Sequence, residues 1–340
     1  MAGVLDGLDR PVVGAPMAGG VSTPLLVAAV SDAGGLGMLG SGYQTPEQLA
    51  ADLVHVADLT DRPFGVNLFV PNPPDRQALE AEVDAFAARL VPDAESLGTR
   101  PGHVSWGDTD HFADKALLVQ TFAPAVVSCT FGIPTADVVE RWKAVGSEVH
   151  VTVTSLAEAR AAEQAGADAL VLQGQEAGGH RGTHDPATEP EAIDHLGLLE
   201  VVAPTTSLSL VVAGGITVPG DVRRALASGA AAVQVGTALL LATESGASPT
   251  YRRALRDPRL DHRVATRAFS GRVAGALAND WTRRYADAPA AFPVVDQLTR
   301  PLRRAAAERG DADRTHLWAG VGWRAAQDRA AAQIVAELAG

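Results

Sequence analysis

An α/β fold, closed as a (β/α)8 TIM barrel and carrying a helical segment after the eighth strand, is what this 340-residue sequence predicts. Three observations point there. Ala-rich helical stretches end in Gly and run at once into apolar strand-like segments, at Ala33-Gly34-Gly35, Ala165-Gly166 and Ser228-Gly229. Glycine at that position adopts the left-handed conformation cheaply, so the helix stops and the chain turns back into a sheet. The apolar runs lack period-2 alternation, as parallel strands covered on both faces do. Eight such runs occur, near residues 11, 36, 64, 125, 149, 168, 208 and 231, and eight favours a closed barrel over an open doubly wound sheet.

In order along the chain, Val12-Val13-Gly14-Ala15 and Leu36-Gly37-Met38-Leu39 supply the first two strands. Thr45-Pro46-Glu47-Gln48 then combines an N-cap, an N1 proline and a capping box. Phe64–Phe69 is the third strand, and a long polar connection over 92–120 precedes the fourth at Ala125–Ser128. Val149–Val153 is followed by a second capping box, Ser155-Leu156-Ala157-Glu158, and Ala169–Leu172 is the sixth strand. Leu208–Ala213 and Ala231–Val235 complete the eight. The expected division is a barrel over 1–240 and an Arg/Ala-rich helical extension over 241–340 that packs on the barrel and partly caps it, with Leu298–Gly340 as amphipathic closing helices.

Composition narrows the function classes. A net charge of −12 without basic clusters gives nucleic acid or an anionic membrane no electrostatic footprint, leaving a small molecule as the expected partner. No run of eighteen apolar residues and no signal-like N-terminus occur, so a cytoplasmic location is expected. Cys129 is the only cysteine, which excludes an intrachain disulfide and a thiolate metal cluster and is expected to be a small buried hydrophobe.

Barrel chemistry sits where strands end. Ala213-Gly214-Gly215-Ile216 follows the seventh strand and Gln234-Val235-Gly236-Thr237 ends the eighth, the two places where barrels build phosphate sites from backbone N–H groups. A phosphate-bearing cofactor is expected, and neither a Rossmann Gly-x-Gly-x-x-Gly unit nor a P-loop is present. The stretch from Leu170 to His184 leaves the sixth strand with four glycines, including Gly178 and Gly179, and presents Gln173 and His180 from its two ends. An imidazole ordinarily titrates near neutrality, which makes His180 the candidate base. His180, His184 and Asp185 do not make a metal site, because the segment is not helical; no metal is expected. Asn67 and Met17 end other strands and point into the same mouth.

These motifs together resemble the nitronate monooxygenase (2-nitropropane dioxygenase) family over nearly the whole chain. The resemblance rests on Ala15-Pro16-Met17-Ala18-Gly19-Gly20, Phe64-Gly65-Val66-Asn67, Gln173–Gly182, Ala213–Ile216 and Gln234–Thr237. It implies FMN held by Asn67, Gln173, Gly178, Gly215, Gln234, Val235, Gly236 and Thr237, with His180 as the active-site histidine; the barrel reading adds Met17 as a residue placed to pack on such a ring. The implied reaction oxidises an alkyl nitronate, or a nitroalkane, with O₂ to a carbonyl compound and nitrite. Leu298–Leu302 and Trp318-Ala319-Gly320 resemble the C-terminal segment of the family's larger bacterial branch, while Cys129 stands where an aromatic is expected and predicts a changed pocket shape. Related motifs occur in NAD(P)H-dependent enoyl-ACP and quinone reductases of the same barrel group. A barrel binding a phosphorylated ligand without flavin is the reading from a different class.

Overall fold

The computed structural model describes residues 3–340. Strands β1 (Val12–Gly14), β2 (Gly37–Gly40), β3 (Phe64–Phe69), β4 (Val126–Thr130), β5 (Glu148–Val153), β6 (Ala169–Gln173), β8 (Ser209–Ala213) and β9 (Ala232–Val235) form one parallel sheet, ordered β1-β9-β8-β6-β5-β4-β3-β2. Its two ends meet. Val13 bridges Leu36 in parallel, and the Gly14 and Leu36 N–H groups donate to Leu36 and Val12 carbonyls at 2.9 and 3.0 Å. The sheet is therefore closed, and each of the eight expected strands is present.

Helices α1 (Pro24–Asp32), α2 (Pro46–Leu59), α3 (Arg76–Ser96), α4 (Phe112–Phe122), α5 (Ala136–Ala144), α6 (Leu156–Gln164), α7 (His195–Val202) and α8 (Pro219–Ala227) lie between these strands. The expected stops hold, with Gly34, Gly166 and Gly229 at φ of 85°, 93° and 100°. The Thr45–Gln48 capping box forms in both directions. At Ser155 only half of the expected box forms. Glu158 N–H donates to Ser155 Oγ at 3.2 Å, but the Glu158 carboxylate turns to Thr154 and to the His184 N–H at 2.8 Å, tying the loop after β6 to β5.

Side-chain alternation along each strand makes two cores. Val13, Leu36, Met38, Val126, Val171 and Val211 fill the barrel interior, with Leu5 packed against them. Val12, Leu39, Leu68, Cys129, Val151 and Val235 face the helical ring. A third cluster, including Phe86, Leu90, Trp281, Tyr285 and Leu298, joins α3 to the segment beyond the barrel.

That segment contains α9 (Pro249–Ala254), α10 (Asp280–Arg284), α11 (Val294–Glu308) and α12 (Ala331–Ala339), and it is not purely helical. Strands β10 (Arg263–Thr266) and β11 (Ala274–Leu277) form an antiparallel hairpin, and β11 also pairs with β7 (Gly179–His180) in the loop after β6. The chain then returns, and α12 buries Ala331, Ile334, Val335 and Leu338 in the barrel's outer core between α1 and α8. It stands where the helix following the eighth barrel strand belongs. Residues of α11 line the mouth of the barrel, while α12 packs on its outside. Among the described residues no helix is long and apolar enough to cross a membrane.

Candidate active site

A cavity of about 530 Å³ opens at the C-terminal ends of the barrel strands, within the range of cofactor pockets. Met17, Asn67, Gln173, Gly178, Gly179, His180, Gly214, Gly215, Gln234, Gly236 and Thr237 all line it. Val235 does not. Its side chain is 1% exposed and faces the helical ring, because successive strand residues point to opposite faces and Gln234 takes the cavity side.

One end of the cavity is a backbone cradle. Gly214 and Gly215 have φ of 120° and 70°, which a side chain adopts only with strain, and a Cβ on Gly215 would lie 3.0 Å from Glu176 Cβ and Val321 Cγ2. Beside them Gly236 leads into a short 3-10 turn over Thr237–Leu239. Gly178 has a different reason for lacking a side chain. A Cβ there would sit 2.5 Å from the Gly320 nitrogen, so Gly178 lets the C-terminal segment close against the loop after β6. Gly320 N–H in turn donates to Thr237 Oγ1 at 3.0 Å.

Asn67, 1% exposed on β3, donates through Nδ2 to Ser128 Oγ and Thr130 Oγ1, both at 2.9 Å, which fixes the amide plane and turns its oxygen to the remaining side. Gln173 spends both ends of its amide on the adjacent loop. Its Nε2 donates to the His180 carbonyl at 3.0 Å and its Oε1 accepts from Gly182 N–H at 2.8 Å. It therefore holds the histidine's main chain.

His180 is built in from three directions. Its backbone pairs with Ala274 on β11, its ring lies among Phe131, Phe292 and Trp318 with centroids at 5.8, 5.5 and 5.2 Å, and its Nε2 is 2.8 Å from Ser270 Oγ. Nδ1 has no protein partner among the described residues. Burial pushes the imidazole down to about 3, with Arg272 and Arg303 adding to the effect against Asp296. The ring is therefore neutral throughout the physiological range. His184 lies apart from this chemistry, its Nε2 3.0 Å from the Thr152 carbonyl. No group of three or more His, Cys, Asp or Glu among the described residues is arranged to hold a metal ion.

The wall opposite the barrel comes from the segment beyond it. Asp296, Arg300 and Arg303 follow one another at helical spacing on α11 and line the cavity with Arg304 and His316. Asp296, 1% exposed, accepts from Arg303 Nη2 at 2.6 Å and Arg300 Nε at 3.1 Å. The Arg300 guanidinium lies 4.6 Å from the Tyr43 ring centroid. Tyr43 is held from the 92–120 connection, where Asp110 accepts from its N–H and pairs with Lys115, both at 2.8 Å. Sequence alone singled out none of Tyr43, Phe131, Phe292, Asp296, Arg303, His316 or Ser270; the helical spacing on α11 is the signal that was available. Cys129 is buried, as expected, but the expected change of pocket shape at this position is corrected. Its side chain is fully buried on the outer face of β4, where burial pushes the thiol far up, and the aromatic in the cavity is supplied two residues on by Phe131.

Two imidazoles that line the cavity have a consequence for acid stability. Burial also pushes His316 down to about 3, with Arg303 adding to it. Unfolded, both groups titrate near the ordinary 6.5, so below that value the unfolded chain holds more protons than the folded one. Stability therefore falls as pH drops from about 6.5 toward 3, each group contributing on the order of 1.4 kcal/mol per unit. Denaturant midpoints should decline steadily over that window, and a H180N/H316N double variant should decline less.

A profile of the nitronate monooxygenase family matches residues 5–340. The chain is 41% identical over 344 residues to a nitronate monooxygenase of Pseudomonas aeruginosa, covering 98% of this chain and 96% of that protein. It is 39% identical over 341 residues to one of Paraburkholderia phytofirmans, covering 98% and 92%. Among solved structures, the crystal structure of nitroalkane oxidase from Streptomyces ansochromogenes superposes with a TM-score of 0.94 at 42% identity, covering 99% of this chain and 96% of that one.

Proposed function

The chain belongs to the nitronate monooxygenase family, and on that premise we propose that it oxidises alkyl nitronates with O₂ to a carbonyl compound and nitrite, reaching neutral nitroalkanes by removing their α-proton. The observation that carries this reading is His180, a neutral imidazole with Nδ1 unpartnered in the cavity and arginines on the facing wall.

FMN is the cofactor this reading requires, and the residues present fit it. The side-chain-free cradle at Gly214 and Gly215, with Gly236 and the N–H groups at Thr237, suits its phosphate. Gln234 lines the same cavity, and Asn67 and Met17 would meet the ring system. When bound, FMN would supply the redox chemistry, taking electrons from the nitronate and passing them to O₂.

The protein's own work is the proton and the charge. Nδ1 of His180 takes the proton from the carbon bearing the nitro group, and the C–H electron pair becomes the C=N bond as negative charge moves onto the nitro oxygens. An imidazole held near 3 is a weak base toward bulk water, but the transfer creates imidazolium and nitronate side by side in a cavity of low dielectric, where each stabilises the other. Arg300 and Arg303 carry two positive charges against the single Asp296, so the α11 wall favours the anion. A nitronate that arrives already ionised needs no proton transfer.

Anaerobic mixing with propane-2-nitronate should bleach the flavin, and mixing with NADH or NADPH should leave it oxidised. The reverse result moves the chain to the nicotinamide-dependent reductases. Purified protein without a yellow chromophore, and unable to take up FMN, returns it to the flavin-free reading.

The cradle has its own test. Gly215→Val places a β-branched residue at a φ of 70° with its Cβ 3.0 Å from two side chains, a conformation costing on the order of 1–3 kcal/mol. Bound flavin per chain should fall and the FMN dissociation constant should rise by about 10-fold or more, with the far-ultraviolet circular dichroism unchanged. Wild-type FMN affinity in this variant would remove the phosphate role from Gly215.

A further inference from the structure

Beyond holding the main chain of His180, the β10–β11 hairpin touches its ring, and the hydrogen-bond bookkeeping at that contact determines which nitrogen carries the proton. Ser270 is fully buried. Its Oγ lies 2.8 Å from His180 Nε2 and 3.3 Å from the Arg272 carbonyl oxygen. A hydroxyl has one proton to donate and two lone pairs to accept with. Arg272 is 1% exposed, and among the described residues Ser270 Oγ is the donor its carbonyl has. A buried carbonyl left unpaired is costly. The hydroxyl proton therefore goes to Arg272, and the imidazole must be the donor in the shorter contact, through Nε2–H.

We propose that Ser270 is a positioning residue that fixes His180 as the Nε2–H tautomer and so leaves the Nδ1 lone pair facing the cavity as the proton acceptor. This rests on the base role of His180 given above and adds to it the group that makes the ring a base at the right nitrogen. The opposite tautomer would present an N–H to the substrate carbon and could take no proton there. The hairpin is suited to the task. Its main chain pairs with His180 through Ala274 and receives Arg181 N–H at the Val273 carbonyl, 2.8 Å away. Arg272 Nη1 donates to the Thr183 carbonyl at 2.6 Å, and its guanidinium stacks 4.1 Å from the Phe131 centroid. Ring, loop and hairpin are thereby one rigid unit, and Ser270 Oγ cannot drift from Nε2.

The test uses the flavin-loaded enzyme. In histidine-selective ¹⁵N-labelled protein, the resonances that disappear in H180N should show His180 as the Nε2–H tautomer in wild type and as a mixture of tautomers in Ser270→Ala. Turnover of neutral nitroethane should fall by about 10-fold or more in Ser270→Ala, turnover of preformed ethylnitronate should stay within about threefold, and Ser270→Thr should restore the first. An Nδ1–H tautomer in wild type overturns the proposal, as does an unchanged nitroethane rate in Ser270→Ala. Equal losses on both substrates without rescue by threonine also overturn it, since they mark a packing role only. The wild-type tautomer measurement stands even where a variant fails to fold. If H180N itself leaves nitroethane turnover intact, the base role of His180 fails; if H180N loses it while Ser270→Ala does not, only the role of Ser270 fails.

Discussion

Replacing His180 by Asn should lower turnover of a neutral nitroalkane by about 10²–10⁴-fold, the usual contribution of a positioned general base, while turnover of the preformed nitronate stays within a few-fold of wild type. Asn keeps an N–H able to face Ser270 and fits the space among Phe131, Phe292 and Trp318, so the substitution removes the lone pair with little disturbance of the pocket. Because the imidazole is neutral down to about 3, the wild-type rate on a neutral nitroalkane should show no inflection near the ordinary histidine value in the substrate-free enzyme. Steady-state rates on both substrates across pH check both statements. Equal retention of activity on both in H180N would take the proton-transfer role away from this residue.

A comparably large effect is expected on stability at Asp296. Burial works against its charge, but Arg303 and Arg300 outweigh that and hold the carboxyl below its ordinary range. Asp296→Ala leaves Arg303, 6% exposed, without its carboxylate, and an uncompensated buried charge costs about 3–5 kcal/mol. Arg300 is nearly half exposed and can turn to water, so the penalty belongs mainly to Arg303. The thermal midpoint should drop by roughly 4–7 °C, and pairing Asp296→Ala with Arg303→Met should recover part of the loss. Calorimetry of the two variants decides it; an unchanged midpoint in Asp296→Ala would mean that the pair contributes nothing net.

The barrel and its mouth were legible because their signals are local. Gly34, Gly166 and Gly229 mark helix ends by a conformation that only glycine adopts cheaply, and residues following an apolar run land on one face of the barrel whatever the rest of the chain does. Eleven of the twelve expected site positions accordingly line a single cavity. The twelfth, Val235, turns its side chain to the helical ring, as strand parity requires once Gln234 is placed inside. The segment beyond residue 240 was harder. Arg263–Thr266 and Ala274–Leu277 are four residues each, without alternation and without a two-residue turn between them, and their pairing with Gly179–His180 spans almost one hundred positions. Asp296, Arg300 and Arg303 read as solvated helix charges until a facing cavity exists for them to line. Glu158 shows the same limit at small scale, since its capping-box spacing is correct but Thr154 and His184 compete for its carboxylate.

The return of α12 to the gap between α1 and α8 has a meaning for biosynthesis. Residues 24 and 331 begin the two neighbours, so one face of an early helix waits uncovered while about 300 residues are translated, roughly 15–60 s at ordinary elongation rates. During that interval Leu26, Val27 and Val30 have the first strands beneath them but lack their final lateral cover. The sheet can close through β1 and β9 before α12 is made, so the nascent barrel carries one uncovered apolar groove between α1 and α8 until α12 fills it.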